Sequence, residues 1–434
     1  MDLNKSQKVM LFKFSAYGFL KNLRFFEPLI LLFFVQYKAL SYTQFGVLIG
    51  IREVCVWLLE VPTGIIADVT GRRRAMMLAF GSYIVAFLIF SLTSSFWAFI
   101  PAMVLFALGE TFRSGTHKSM IMRHLELEGL GDRKVHYYGF TRSMSRLGSA
   151  VSALAVGVLA FTGVDYAIIF PATIVPYVFG LLLMMTYPAE LDGETKSTAI
   201  LSNMWKHTVD SAKSLFHVHE LGKVVVNESV FESFFRVAKD YLQPILKTAA
   251  LSLPVLMTIE DPEKRTFLLV GVVYFFVYMN SFVSSRYSGH VADRTGHLGR
   301  TLNYLFWVFA IAFALVGVFY QADWYLPAII MLFFFYTLYN IRKPVVVGFL
   351  SDRIPSQQRA TVLSVQNQLR AIIAGVVAPL FGLIVDNPKL GITWAFLLGG
   401  VVLVVLGVLL RLESRPEAPE PEAIPATSGE SETA

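Results

Sequence analysis

The chain has 434 residues, of which 55% are hydrophobic and 16% charged, and its mean hydropathy is +0.58. A soluble domain carries about a quarter charged residues, so the composition excludes an ordinary globular enzyme and points to a polytopic membrane protein. The net charge of +6 is spread between apolar runs instead of forming one patch, which excludes a nucleic-acid surface.

A membrane-crossing helix needs about 20 apolar residues. Residues 9–36 and 44–67 each predict one such helix, although both carry charges. Ala75 to Gly109 contains no charge and is too long for one crossing, so Ser94 and Ser95 mark the turn of a hairpin. Leu147 to Ala189 is interrupted only at TGVD, around Asp165, and gives a second hairpin. A polar linker follows over 188–222. Residues 223–248 predict a charged helix, and Thr266 to Ser285 a clean span. Two more hairpins turn at QADW, within Thr301 to Asn340, and at DNPK, within Ala371 to Leu410. The reading is an all-α membrane protein of about twelve helices in two six-helix halves, 1–187 and 223–411. The tail 412–434 is rich in Pro and Glu and cannot bury a core. The N-terminal MDLNKSQK lacks a following small-residue cleavage site, so no signal peptide is expected. Cys55, the one cysteine, has no partner for an internal disulfide.

Lys and Arg fall on alternate loops. One side receives Arg72, Arg73, Arg74, Arg123, Arg133, Lys134, Lys196, Lys206, Lys213, Arg294, Arg300, Arg353 and Arg359; the other has Lys264 and Arg265 as exceptions. The positive-inside rule then places both termini in the cytoplasm, in the cell (inner or plasma) membrane.

One short phrase occurs twice, as GIIADVTGRRR at 64–74 and GHVADRTG at 289–296, at the same place in each half. Gly64 and Gly289 would let helices approach closely, and Gly71 and Gly296 would permit a tight turn. Asp68 and Asp293 would cap a following helix or pair with an arginine. Arg72, Arg73 and Arg294 would hold the loop at the anionic surface. GIIADVTGRRR resembles motif A of the major facilitator superfamily, and GHVADRTG is similar to the echo of that motif in the other half. EVPTG (60–64) and DRIPSQQRATVLS (352–364) carry the same likeness. Val69 stands where motif A usually has a basic residue, His297 and Leu298 replace the basic pair in the second copy, and RLGSAVSALAVGVLA lacks the Gly-Pro signature of many drug antiporters. The resemblance implies a monomer without cofactor, in which two six-helix bundles rock around a central cavity.

Helices 3, 6, 9 and 12 of this reading are free of charge and are lipid-facing in the resembled fold. The charges crowd elsewhere. On NESVFESFFRVAKDYLQP, Glu228, Glu232, Arg236, Lys239, Asp240 and Gln243 fall within an arc of about 120°. Five charges facing lipid would cost more than about 12 kcal/mol even on the mild insertion scale, so this face must point into protein or water. Lys13, Tyr17, Lys21, Arg24 and Glu27 share a face of helix 1. Glu53, Glu60, Glu110, Arg113, Arg142, Arg146, Arg342 and Arg370 add to the set. Glu232 is the first choice for a proton site, followed by Glu27 and Glu110, because buried carboxylates hold protons more readily. The arginines would hold an anionic group or neutralise a carboxylate.

HVHE at 217–220 reads as a solvated face, since no Cys or His cluster completes a metal shell. His117, His124 and His136 are too dispersed to define a site. No phosphate-binding loop of an ATPase is present, and no nucleophile–base constellation suggests an enzyme. The expectation is proton-coupled export of a small organic or amphipathic molecule, with the bilayer, protons and that solute as partners. Proton-coupled uptake, a non-transporting sensor and a lipid flippase are the alternatives.

Overall fold

The computed structural model describes residues 4–130, 134–159, 161–162, 165–192, 219–295, 298–353 and 356–412. Most of the expected linker, the tail and His217 lie outside them. Helices and turns make up the described residues, with no strand among them.

Helix α1 (Lys5–Lys21) opens with a capping box in which Asn4 Oδ1 accepts the Gln7 N–H at 2.8 Å and Gln7 Oε1 accepts the Asn4 N–H at 3.1 Å. The single helix expected over 9–36 does not form. The chain leaves helical geometry after Lys21 and resumes as α2 (Ile30–Leu32), which loosens into a π-turn at Phe33–Tyr37. Pro28 explains the break, because it lacks an N–H and its ring would clash with the carbonyl of Arg24. Asn22 reinforces it by donating to the Gly18 carbonyl at 2.7 Å.

Helix α3 (Tyr42–Thr70) starts at a second capping box, Ser41 with Gln44, and ends at Gly71, whose φ of +98° suits glycine. Then come α4 (Arg72–Leu92), α5 (Phe96–Arg113), α6 (Thr116–Leu127), α7 (Lys134–Leu159) and α8 (Ile169–Met185). Gly115, at φ +76°, separates α5 from α6. In the second part of the chain α9 (His219–Asp240) stops four residues before Pro244, again where proline forbids the next bond, and α10 (Leu242–Ser252) continues. The rest are α11 (Pro262–Thr295), α12 (Leu298–Gln321), α13 (Tyr325–Arg353), α14 (Ser356–Asp386) and α15 (Gly391–Leu409).

The hairpin turns stand where the sequence placed them, at Ser94–Ser95, around Asp165, at Asp323 and after Asp386. Seven helical stretches among the described residues are long and apolar enough to cross a membrane. The helices α4, α8, α12 and α15, whose only charges are Arg72, Arg73, Arg74 and Arg300 in the first turns of α4 and α12, expose Leu88, Phe179, Ile311 and Val405, among others, as helices bathed in lipid would. Their inner faces pack as clusters of tilted and edge-on aromatic rings, with Phe87, Phe90 and Phe170 in the first part and Phe309, Phe313 and Phe396 in the second.

The two parts of the chain meet through α3 against α14, α7 against α11, and α2 against α10. Glycines permit the approach. A Cβ on Gly50 would lie 2.8 Å from the Gly375 carbonyl, and one on Gly46 or Gly382 would collide with the backbone of Ala378 or Tyr42. Gly157 and Gly271 touch in the same way. Asp386 accepts the Tyr42 and Thr43 N–H groups at 2.8 and 2.7 Å, so the end of α14 caps the start of α3. These contacts sit at the end that carries the TGVD and DNPK turns. Toward the arginine-rich loops α3 has open space beside Gly64.

Candidate functional site

Where the two parts of the chain separate, a cavity of about 320 Å³ opens between the α1–α2 break, α3, α5, α9 and α14. Three ion clusters line it. In the first, Glu110 of α5 accepts from Arg24 Nη2 at 2.7 Å and from Arg113 Nη2 at 2.8 Å. The Tyr83 hydroxyl donates to Glu110 at 2.6 Å, and Arg24 Nε reaches the Tyr177 hydroxyl at 3.1 Å. In the second, Lys239 lies 4.0 Å from Glu27 and 3.5 Å from Asp240.

The third joins the two parts of the chain. Glu53 of α3 meets Arg52 at 2.7 Å, Arg370 of α14 at 3.0 Å and Arg236 of α9 at 3.8 Å. Glu232 of α9 shares two of these cations, Arg236 at 3.0 Å and Arg370 at 3.8 Å, and adds Lys343 at 3.7 Å. Its Oε1 carries all of these contacts, while its buried Oε2 has no hydrogen-bond partner among the described residues. The cluster can therefore exchange one positive partner for another, and it has a free carboxylate oxygen able to take a proton.

Lys21, Arg24, Glu27, Glu110, Arg113, Glu232, Arg236 and Asp240 thus gather at or beside one cavity. Arg146 stands further along α7, with Nη1 3.3 Å from the Ser281 carbonyl. Glu228 does not join them, although it lies on the same arc of α9. Arg342 Nε holds it at 2.5 Å, with both side chains 1% exposed. The Leu302 carbonyl accepts from Nη1 and Asn227 Oδ1 from Nη2, and the Phe231 ring lies 4.6 Å from the guanidinium centre. This closed network braces α9 against α12 and α13 and offers nothing to the cavity. Gln243 also has a structural role. Its Oε1 accepts the Leu31 and Leu32 N–H groups at 2.8 and 3.4 Å, supplying the partner that the break before α2 removed.

The repeated phrase differs from its expected roles. Gly71 does make the turn, but the carboxylate at the start of α4 is that of Asp192, which accepts the Arg73 N–H at 2.6 Å. Arg73 Nη1 also donates to the Tyr187 carbonyl at 3.0 Å. Asp68 has no hydrogen-bond or ion-pair partner among the described residues, while Arg72 is half-buried. Gly289, Asp293 and Arg294 occupy the last turns of α11, and Gly296 lies outside the described residues. His219 and Glu220 of HVHE begin α9, and no His, Cys, Asp and Glu grouping suited to a metal occurs among the described residues.

Residues 14–379 match the family model of the Major Facilitator Superfamily. The chain belongs to that superfamily. Solved structures with the superfamily's shape agree along almost the whole chain. The nucleoside transporter NupG superposes with a TM-score of 0.74 at 10% identity, covering 92% of this chain and 98% of its own. A POT family transporter in complex with 5-aminolevulinic acid gives 0.70 at 12%, covering 94% and 96%. A D-xylose-proton symporter gives 0.63 at 13%, covering 94% and 98%. No curated protein sequence matches. Membership in this superfamily implies a small-molecule substrate and a chain embedded in the membrane.

Sequence reasoning underrated Glu53 and Arg370, which it treated as additions to the set, and missed Lys343, Tyr83, Tyr177 and Tyr339, whose hydroxyl donates to Glu232 Oε1 at 3.4 Å. The signal for Glu53 was present, as an acid beside Arg52 in the middle of a largely apolar helix. The tyrosines gave none, because in sequence nothing separates a buried aromatic from a hydroxyl donor.

Proposed function

We propose that the protein is a proton-coupled secondary transporter that moves a small, polar, charged solute by alternating access. The observation that carries this reading is the shared ion cluster of Glu53 and Glu232, which bridges the two parts of the chain through Arg236 and Arg370. Protonating either acid removes one anchor of the bridge, and so does an anionic solute that draws off an arginine. Either event frees the parts to move. Glu232, with its unpartnered Oε2, is the proposed proton site. An amphipathic cargo fits less well, because the cavity walls are largely ionised side chains.

Twelve spans in two six-helix bundles, both termini in the cytoplasm, a cell-membrane location and a monomer complete the reading. The direction proposed is export, which the likeness of GIIADVTGRRR and EVPTG to exporter motifs favours. In inside-out vesicles with an acidified lumen and a panel of organic ions, export predicts a compound-dependent rise in lumenal pH that Glu232→Gln abolishes at unchanged protein level. Accumulation only in right-side-out vesicles with an inward proton gradient would reverse the direction. Coupling retained by Glu232→Gln would remove that residue as the proton site.

A further inference from the structure

A second cavity, of about 550 Å³, lies beside the first and shares Arg113 with it. Elements of the first part of the chain, α1, α6 and α7, form most of its wall, and Ser281 and Asn340 close it from the second part. Its walls carry Lys21, Arg113, Lys118, Arg142 and Arg146, with His117, and no acidic residue among the described residues. The central cavity is different, since each of its clusters mixes cations with acids. Here Glu110 satisfies Arg113 from the far side, and Lys21, Lys118 and Arg142 have no ion-pair partner among the described residues.

Like charges around one partly open cavity repel more strongly than they would in bulk water. Two of them have an ordinary outlet: Arg142 is exposed, and Lys118 lies over the Tyr138 ring at 5.8 Å. Lys21 has none. It ends α1 at the helix break, half-buried, with the cations Arg24 and Arg113 and, on the central-cavity side, the acids Glu27 and Glu110 near it but none in ion-pair contact, too far along the helix to reach headgroups. A flat face is also available, because Tyr17 and His117 stack at 3.6 Å. Ammonium and guanidinium groups converging on a space without acids form a receptor for phosphate or carboxylate oxygens.

We propose that this cavity is an anion subsite, which takes the phosphate or carboxylate end of a small organic anion with Lys21 as its principal grip and Arg142 and Arg146 beside it. Calling that anion the cargo rests on the transport reading; the binding site itself does not. The same chemistry is found on an anionic lipid headgroup, and the test separates the two sources.

The full-length protein in neutral detergent is titrated with inorganic phosphate and with succinate, and in parallel with choline and xylose, at constant ionic strength set by chloride. Calorimetry reads affinity. Saturable binding of the two anions is expected, and Lys21→Gln should weaken it about tenfold, the worth of one charge-assisted contact. Lys21→Arg should restore most of it, and Lys389→Gln, on an exposed turn at the far end, should leave it unchanged. Equal binding of choline or xylose, or wild-type anion affinity in both Lys21→Gln and Arg142→Gln, overturns the proposal. In nanodiscs, loss of phosphate binding when phosphatidylglycerol is added assigns the anion to a headgroup and upholds the site. Anion binding without any flux would sink the transport reading alone. Flux of a cation without anion binding would sink this one alone.

Discussion

Glu53→Gln tests the bridge between the two parts of the chain most directly. Glu53 and Arg370 keep 4% and 7% of their side-chain surface and meet at 3.0 Å. Their charge centres are then about 4 Å apart, a separation worth about 4 kcal/mol at the effective dielectric that reproduces protein data. Glutamine keeps the shape and one acceptor, which recovers about 1 kcal/mol. The remaining loss of about 3 kcal/mol agrees with the cost of breaking a buried pair by removing one partner. Arg370→Gln should cost a similar amount, and the double variant should cost no more than either single change. Thermal and denaturant unfolding of all four proteins in one detergent closes the cycle. Costs that add within about 0.5 kcal/mol would mean that the two residues do not interact, and the bridge would have to be abandoned. If the bridge is real, Glu53→Gln should also change the rate of solute exchange, because it removes an anchor that both conformations have to pass.

Other outcomes follow from single contacts. Arg342→Met should destabilise the protein by about 3 kcal/mol or more, and adding Glu228→Gln should recover most of that loss, because a buried lone charge is worse than none; unfolding midpoints decide. Asp386→Asn weakens the cap on α3 by about 1 kcal/mol, which should raise proteolytic cutting or cysteine labelling near Tyr42. Gly46→Val forces α3 away from Ala378, and in vesicles it should slow transport without lowering expression. Asp192→Ala uncaps α4 and should lower the melting temperature by the equivalent of about 1 kcal/mol; an unchanged value would mean that the loop does not use this contact.

Hydropathy and charge placement carried most of the fold. Charge-free runs with one polar turn each gave the hairpins, since that pattern has few other uses in a chain this apolar. The breaks in helix 1 and helix 7 were readable in principle at Pro28 and Pro244, but the density of charge on both segments is the stronger signal and hides them. The crowding of ionisable groups at the centre followed from the cost of exposing them to lipid. Which charges would pair did not. Glu228 and Glu232 lie one turn apart on the same face, yet one is sealed under Arg342 and the other opens toward Arg236. That choice depends on which helix packs beside each turn, which no local pattern specifies. Asp68 misled for a similar reason: the carboxylate that caps α4 arrives from Asp192, far along the chain.

The charges on α1 and α9 also bear on how the chain is built. Neither is among the seven stretches apolar enough to cross by themselves, and both are interrupted at a proline. Left alone in the bilayer, α9 would present Glu228, Glu232, Arg236, Lys239 and Asp240 to hydrocarbon. Of these, Glu228, Glu232 and Arg236 find partners on α3, α13 and α14, the last two of which are synthesised afterwards. Stable insertion of α9 must therefore wait for later helices, and a chain truncated before α13 would leave it at the membrane surface or in the grip of a chaperone.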